Sequence, residues 1–153
     1  MKGDELLVEV KDLKTYFFLD EGTVRALDGV DFNIYRGQPI GVVGESGCGK
    51  SVTARSILRI VPRPGRIVGG EINYYRRAED GSGQVEVLKL HELDPLGQTM
   101  RSIRGAEIAL VPQEPMASLN PSLTIGRQLM EVPLYHERVS EAEAAERAVK
   151  MLG

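Results

Sequence analysis

Eight consecutive residues, Gly44-Glu45-Ser46-Gly47-Cys48-Gly49-Lys50-Ser51, have the types and spacing to do chemistry. Gly44, Gly49, Lys50 and Ser51 satisfy the pattern G-x-x-x-x-G-K-[ST]. Each position answers a need of a bound polyphosphate. The glycines tolerate unusual dihedrals and let the backbone approach the phosphates closely. Successive N–H groups then face inward as an anion nest. A helix starting near Lys50 adds its positive end to the same place. Lys50 reaches the β- and γ-phosphates as a point charge, and Ser51 offers a hydroxyl ligand to Mg²⁺. The bland alternative is a glycine-rich turn between a strand and a helix. With glycine at about 7% of residues, chance gives this pattern in well under roughly one chain in a hundred of this length. All eight residues are therefore candidate nucleotide ligands. Cys48 occupies a variable slot, and alkylation of its thiol is expected to block the nucleotide.

Such a loop must be held between a strand and a helix. Ile40-Gly41-Val42-Val43 is a short apolar run suited to a strand buried on both faces. Residues 51–61 read as a helix, ended by Pro62 and Pro64. Upstream, residues 6–10 and 24–27 read as short strands. Val30, Phe32 and Ile34 alternate with polar residues as a half-buried strand. Gly69-Gly70 opens another strand, with Ile72 and Tyr74 on one face. Residues 76–84 are polar and read as a hairpin or loop, and Val85, Val87 and Leu88 return as a strand. Ile108-Ala109-Leu110-Val111 is a second continuous apolar run, stopped by Pro112. Beyond it, residues 124–131 read as a short helix before Pro133. Ser140 and Glu143 form a capping box for a last helix. The order is β-rich, then α/β, then helical.

Composition narrows the partners. The chain has 153 residues, 42% hydrophobic and 27% charged, with a formal net charge of -3. That is ordinary for a globular protein, and the absence of a basic excess argues against nucleic acid as the main partner. A single cysteine excludes an intramolecular disulfide. The first five residues lack the apolar stretch of a signal peptide. No run approaches the roughly 18 apolar residues of a membrane span, so membrane association is expected to go through a partner protein.

The stretch from Leu110 to Pro121, Leu-Val-Pro-Gln-Glu-Pro-Met-Ala-Ser-Leu-Asn-Pro, narrows the reading further. With the phosphate loop upstream, the chain resembles the ATP-binding subunits of ABC transporters, in the peptide/nickel (dipeptide and oligopeptide permease) branch. Residues 44–51 match the Walker A motif and Gln113 falls on the Q-loop glutamine. The resemblance runs from about Leu7 to the last residue. It implies an α/β fold, a P-loop NTPase core that is a partial ABC-type nucleotide-binding domain. An antiparallel β region precedes the core and the start of a helical subdomain follows it. Residues 1–112 would form the β region and core, and residues 113–153 the Q-loop and helical start.

The resemblance also implies roles. ATP and Mg²⁺ are the expected ligands, with Ser51 and Gln113 at the metal. Gln113 would also meet the attacking water, a task a neutral amide suits because it both accepts and donates. Adenine is expected to stack on an aromatic residue of the β region. Tyr16, Phe17 and Phe18 are the candidates, and Phe17 is favoured. Transmembrane permease subunits and a second ATP-binding subunit, identical or not, are the expected partners. The expected location is the cytoplasmic face of the cell membrane, held peripherally.

The family's signature motif, Walker B carboxylates, D-loop and switch histidine are not found in the 153 residues. Gly81-Ser82-Gly83-Gln84 lies before Gln113 in a polar turn and does not serve as the signature. His91 and His136 fall outside the switch position and read as surface residues. Hydrolysis by this chain alone is therefore expected to be negligible. The core strands, short of neighbours, are expected to promote self-association. The competing readings are a non-catalytic nucleotide-binding module or regulatory fragment, and a small-molecule kinase, which the Gln113 neighbourhood disfavours.

Overall fold

Two fourteen-residue strands, β1 (Leu6–Leu19) and β2 (Gly22–Tyr35), form a hairpin across the two-residue turn Asp20-Glu21. The structure, a computed structural model, describes residues 5–78, 83–114, 118–137 and 139–153. The chain divides into two compact units, Met1–Met100 and Arg101–Gly153.

In the first unit, β3 (Gly65–Arg77) and β4 (Val85–Lys89) complete a sheet of order β2-β1-β3-β4, antiparallel throughout. The antiparallel β region expected from sequence is present, with longer strands. What read as separate segments at 24–27 and 30–35 is one strand, and β1 runs well past Val10. A bulge explains why β1 was hard to read. Asp12 takes φ 46, and its N–H is held by the Asp31 carboxylate at 2.9 Å. The extra residue moves burial from even to odd positions, from Val8 and Val10 to Leu13 and Thr15. Simple alternation therefore fails at Asp12.

Residues 40–43 and 108–111 correct the sequence reading. Neither is a strand among the described residues; only Ile108 makes an isolated bridge, to Arg104. Val43 is 95% exposed and Val111 85% exposed. The side-chain pattern of a buried strand is there, but a strand exists only where a neighbour takes up its N–H and C=O groups.

α1 (Lys50–Ile57) is shorter than the expected 51–61, and the prolines do not end it. The Arg59 N–H donates to Ser56 O at 3.1 Å and the Ile60 N–H to Arg55 O at 2.9 Å, while Arg59 takes φ 56. These bonds form a Schellman closure with arginine where glycine is usual, at a backbone cost of about 1–2 kcal/mol. β3 opens at Gly65, ahead of Gly69, and buries Ile72 and Tyr74 as expected. The Ala78 N–H donates to Gln84 O and closes the β3–β4 hairpin, whose residues 79–82 lie outside the described residues. α2 (Gln98–Ile103) was not foreseen; its six residues are too few to show a helical period, yet Met100 and Ile103 are fully buried.

In the second unit, α3 (Ile125–His136) is capped by the Thr124 hydroxyl, which accepts from Arg127 N at 3.3 Å. It runs through Pro133, past the expected end at Glu131. A proline removes one backbone donor, and the Glu137 N–H still closes on Pro133 O. α4 (Glu141–Leu152) starts where the capping box placed it, with Ser140 Oγ accepting from Glu143 N at 3.3 Å. Ala144 and Ala148, one turn apart, are its buried positions.

Candidate phosphate-binding site

The loop of residues 44–49 leads into α1 and is shaped at two glycines. Gly49 is the N-cap of α1, with φ 98. A Cβ there would lie 2.7 Å from both Ala26 O and Leu27 Cδ2 on β2, so only glycine lets the helix start rest on that strand. At Gly44, a Cβ would come within 2.5 Å of Cys48 Sγ. The loop closes on itself through the Cys48 N–H, which donates to Glu45 O at 3.3 Å.

Lys50 folds its side chain into the curve of this loop. Its ammonium donates to Gly44 O at 2.8 Å and Glu45 O at 2.7 Å, and lies 3.4 Å from Cys48 Sγ. The first turn of α1 has no side-chain cap and no acidic residue. Its leading N–H groups are thus left for an external acceptor, and the helix dipole adds to the same positive field. Ser51 is exposed in that turn. The Thr53 hydroxyl is spent on Gly49 O at 3.0 Å. An uncapped helix start, an ammonium and close-approach glycines fit a polyphosphate, and the Ser51 hydroxyl is a hard oxygen donor of the kind Mg²⁺ takes.

The three aromatic residues of β1 are differently engaged. Phe17 lies against Val61 and Gly65; a Cβ on Gly65 would fall 2.6 Å from its ring. The Tyr16 hydroxyl donates to Asp28 at 2.5 Å, and Arg25 sits over its ring at 5.5 Å. That hydrogen bond to a carboxylate raises the Tyr16 pKa above the usual phenol value. Phe18 carries the Arg66 guanidinium over its face at 4.2 Å.

Gln113 lies in an exposed bend of the second unit. Pro115, Met116 and Ala117, part of the stretch that marked this region, lie outside the described residues. Downstream, Gln128 of α3 bolts the Asn120-Pro121 turn in place. Its Oε1 accepts from Asn120 N at 2.9 Å, and its Nε2 donates to Asn120 O at 3.1 Å and Leu123 O at 3.0 Å. Sequence reasoning missed Gln128; its place in the first turn of a helix after an Asn-Pro turn was the available signal. His91 is less of a surface residue than expected, because its Nδ1 accepts from Ile72 N at 3.0 Å and the ring is half-buried. The structure thus gathers Gly44, Cys48, Gly49 and Lys50 in one loop, with Phe17 on β1 and Gln113 in the second unit.

Residues 27–153 match the ABC transporter family. A probable peptide ABC transporter ATP-binding protein, y4tR of Sinorhizobium fredii, is 46% identical over 149 residues, 97% of this chain and 41% of that protein. The oligopeptide transport ATP-binding proteins AppD of Bacillus subtilis and OppD of Escherichia coli are 44% and 39% identical, over 95% and 97% of this chain. This chain spans 41% and 40% of their lengths. Among solved structures, the dimeric ATP-binding cassette MJ0796, in a post-hydrolysis state bound to ADP and Pi, superposes with a TM-score of 0.72. It is 25% identical, and the match covers 94% of this chain and 55% of that one. The fold is accordingly that of an ABC-type P-loop NTPase in part, and the chain belongs to the ABC transporter family.

Proposed function

We propose that this chain is the ATP-gripping portion of an ATP-binding subunit that powers a peptide-type ABC importer. The observation that carries the reading is the Lys50 ammonium seated inside a glycine loop at an uncapped helix start. Residues 44–51 would wrap the β- and γ-phosphates. Ser51 and Gln113 would hold Mg²⁺, which when bound neutralises charge on the phosphate oxygens. Gln113 would orient the attacking water through its amide. Phe17 is the proposed platform for adenine.

Hydrolysis needs a carboxylate near the metal and full neutralisation of the transferred phosphoryl group. No apolar run after Ser51 ends in Asp or Glu as a Walker B strand should in these 153 residues. This chain by itself would then bind ATP with negligible turnover, and hydrolysis would belong to the complete ATP-binding subunit working as a pair. The relatives' names support peptides or related solutes as cargo. Permease subunits and a second ATP-binding subunit are the proposed partners, at the cytoplasmic face of the membrane. Among the described residues no helix is long and apolar enough to cross a membrane.

Equilibrium dialysis with labelled ATP and Mg²⁺ tests the core of this reading. Lys50→Ala is expected to weaken binding at least about tenfold, the scale of a charge-assisted contact to phosphate. Equal affinity in the variant and the parent chain would reject the loop as the ATP site.

A further inference from the structure

A cleft of about 460 Å³ opens beyond the C-terminal end of α1, on the segment that leads into β3. Its charged wall residues are Arg59, Arg63, Arg66 and Asp94: three guanidinium groups against one carboxylate. α1 rises over eight residues, roughly 12 Å, between the phosphate loop and this segment. The cleft shares Val61 and Gly65 with the surroundings of Phe17, and Lys50 is not among its lining residues.

Each cation is held differently. Arg59 takes φ 56 at a position where glycine fits without strain, and its Nη2 reaches across to Leu93 O at 3.3 Å. A strained residue at a cleft is a pointer to function. Arg66 lies face-on to the Phe18 ring at 4.2 Å, which occupies the guanidinium face and leaves the in-plane N–H fork for an acceptor. Arg63 is exposed, and neither it nor Arg66 has a carboxylate partner among the described residues. The Asp94 Oδ1 accepts locally from Leu96 N at 3.0 Å. The wall is otherwise apolar, with Val61, Ile67 and an exposed Leu96. The helix C-terminus works weakly against an anion, but the Schellman closure already satisfies its last carbonyls.

We propose that this cleft binds a small organic dianion, a dicarboxylate or a phosphate monoester, whose anionic end sits on the arginine forks and whose carbon body lies on Val61 and Leu96. Paired N–H donors recognise both anions in the same planar geometry. The volume falls in the range of about 300–1,000 Å³ used for small ligands.

Titration of the 153-residue chain with glutarate and with phenyl phosphate, followed by amide NMR shifts, tests this. Lys50→Ala removes the phosphate loop as a competing anion site. The expected result is saturable binding of at least one probe in both the parent chain and Lys50→Ala, with shifts around Arg59 and Leu96. Whichever probe binds more tightly names the anion. Arg63→Gln and Arg66→Gln are each expected to weaken binding at least about tenfold, and Arg66→Lys to restore only part of it. Should Arg66→Gln unfold, Arg63→Gln decides alone, since its side chain is exposed. The proposal fails if neither probe saturates, if Arg63→Gln leaves affinity unchanged, or if binding vanishes in Lys50→Ala.

Discussion

The hydroxyls of Thr15 on β1 and Ser56 on α1 meet at 2.9 Å, both fully buried and 41 residues apart in the chain. This bond sets α1 on the sheet, and α1 in turn begins at the phosphate loop. Removing one partner leaves a buried hydroxyl unpaired, at a cost of about 1–3 kcal/mol, whereas removing both is milder. Thr15→Val and Ser56→Ala are each expected to lower stability by that amount, and the double variant by less than their sum. Urea unfolding followed by circular dichroism measures the cycle; strictly additive losses would mean the hydroxyls are not coupled.

Cys48 crowds the loop it belongs to. Its Sγ lies 3.4 Å from the Lys50 ammonium and within 2.5 Å of where a Gly44 side chain would start. An added alkyl group has no room without opening the loop. Complete alkylation by iodoacetamide, verified by mass spectrometry, is expected to cut ATP affinity at least about tenfold. Cys48→Ala should keep the affinity and lose the sensitivity. Undiminished binding by the alkylated chain would count against this crowding.

Adenine stacking can be separated from phosphate binding by comparing ATP with inorganic tripolyphosphate. Phe17→Leu keeps an apolar side chain against Val61 and Gly65 but loses the flat face. A stacked base is worth about 1–3 kcal/mol, so ATP affinity should fall roughly tenfold with tripolyphosphate unaffected. If Tyr16→Leu shows that selective loss instead, the stacking face belongs to Tyr16, and its hydroxyl bond to Asp28 becomes the device that holds the ring.

Glu5 should make stability depend on acid. Its pKa is lowered, chiefly by its hydrogen bond to Arg77, with Arg36 adding to the effect. A carboxylate with a depressed folded-state pKa contributes stability that is fully present above its unfolded value. That contribution is lost as pH falls through the folded value. Denaturation midpoints are expected to drop below about pH 4.5, and less steeply in Glu5→Gln. Identical pH profiles for the two chains would remove Glu5 from the account.

The exposed apolar runs carry an association prediction. Val43 and Val111 are almost fully exposed in segments with strand-like patterns and no ladder. Such segments invite pairing with another chain. Sedimentation velocity is expected to show concentration-dependent self-association, reduced by Val43→Lys together with Val111→Lys. A monodisperse monomer at high concentration would contradict it.

Local features were more legible in the sequence than features fixed by distant residues, for physical reasons. The phosphate loop is local, so Gly44, Gly49, Lys50 and Ser51 could be read from spacing alone. The capping box at Ser140 is equally local, and α4 begins where it says. Errors arose where distant residues decide. The bulge at Asp12 is fixed by Asp31 on the neighbouring strand, so alternation in β1 breaks without a local sign. Arg59 ends α1 in a conformation that favours glycine, and no residue preference announces it. Residues 40–43 and 108–111 have the composition of buried strands, but composition does not supply a neighbour. Gln113 and Phe17 could be named only by likeness to a family, because a lone amide and a lone ring have no spacing to read.

The doubly bonded Lys50 ammonium has a kinetic meaning. Gly44 O and Glu45 O are its acceptors, so these two carbonyls are internal competitors for the cation. Under the proposed function an arriving triphosphate would displace these two carbonyls, so loading would be an exchange of partners at one cation. Departure would run the exchange in reverse, with the carbonyls placed to take back the ammonium as the phosphates leave.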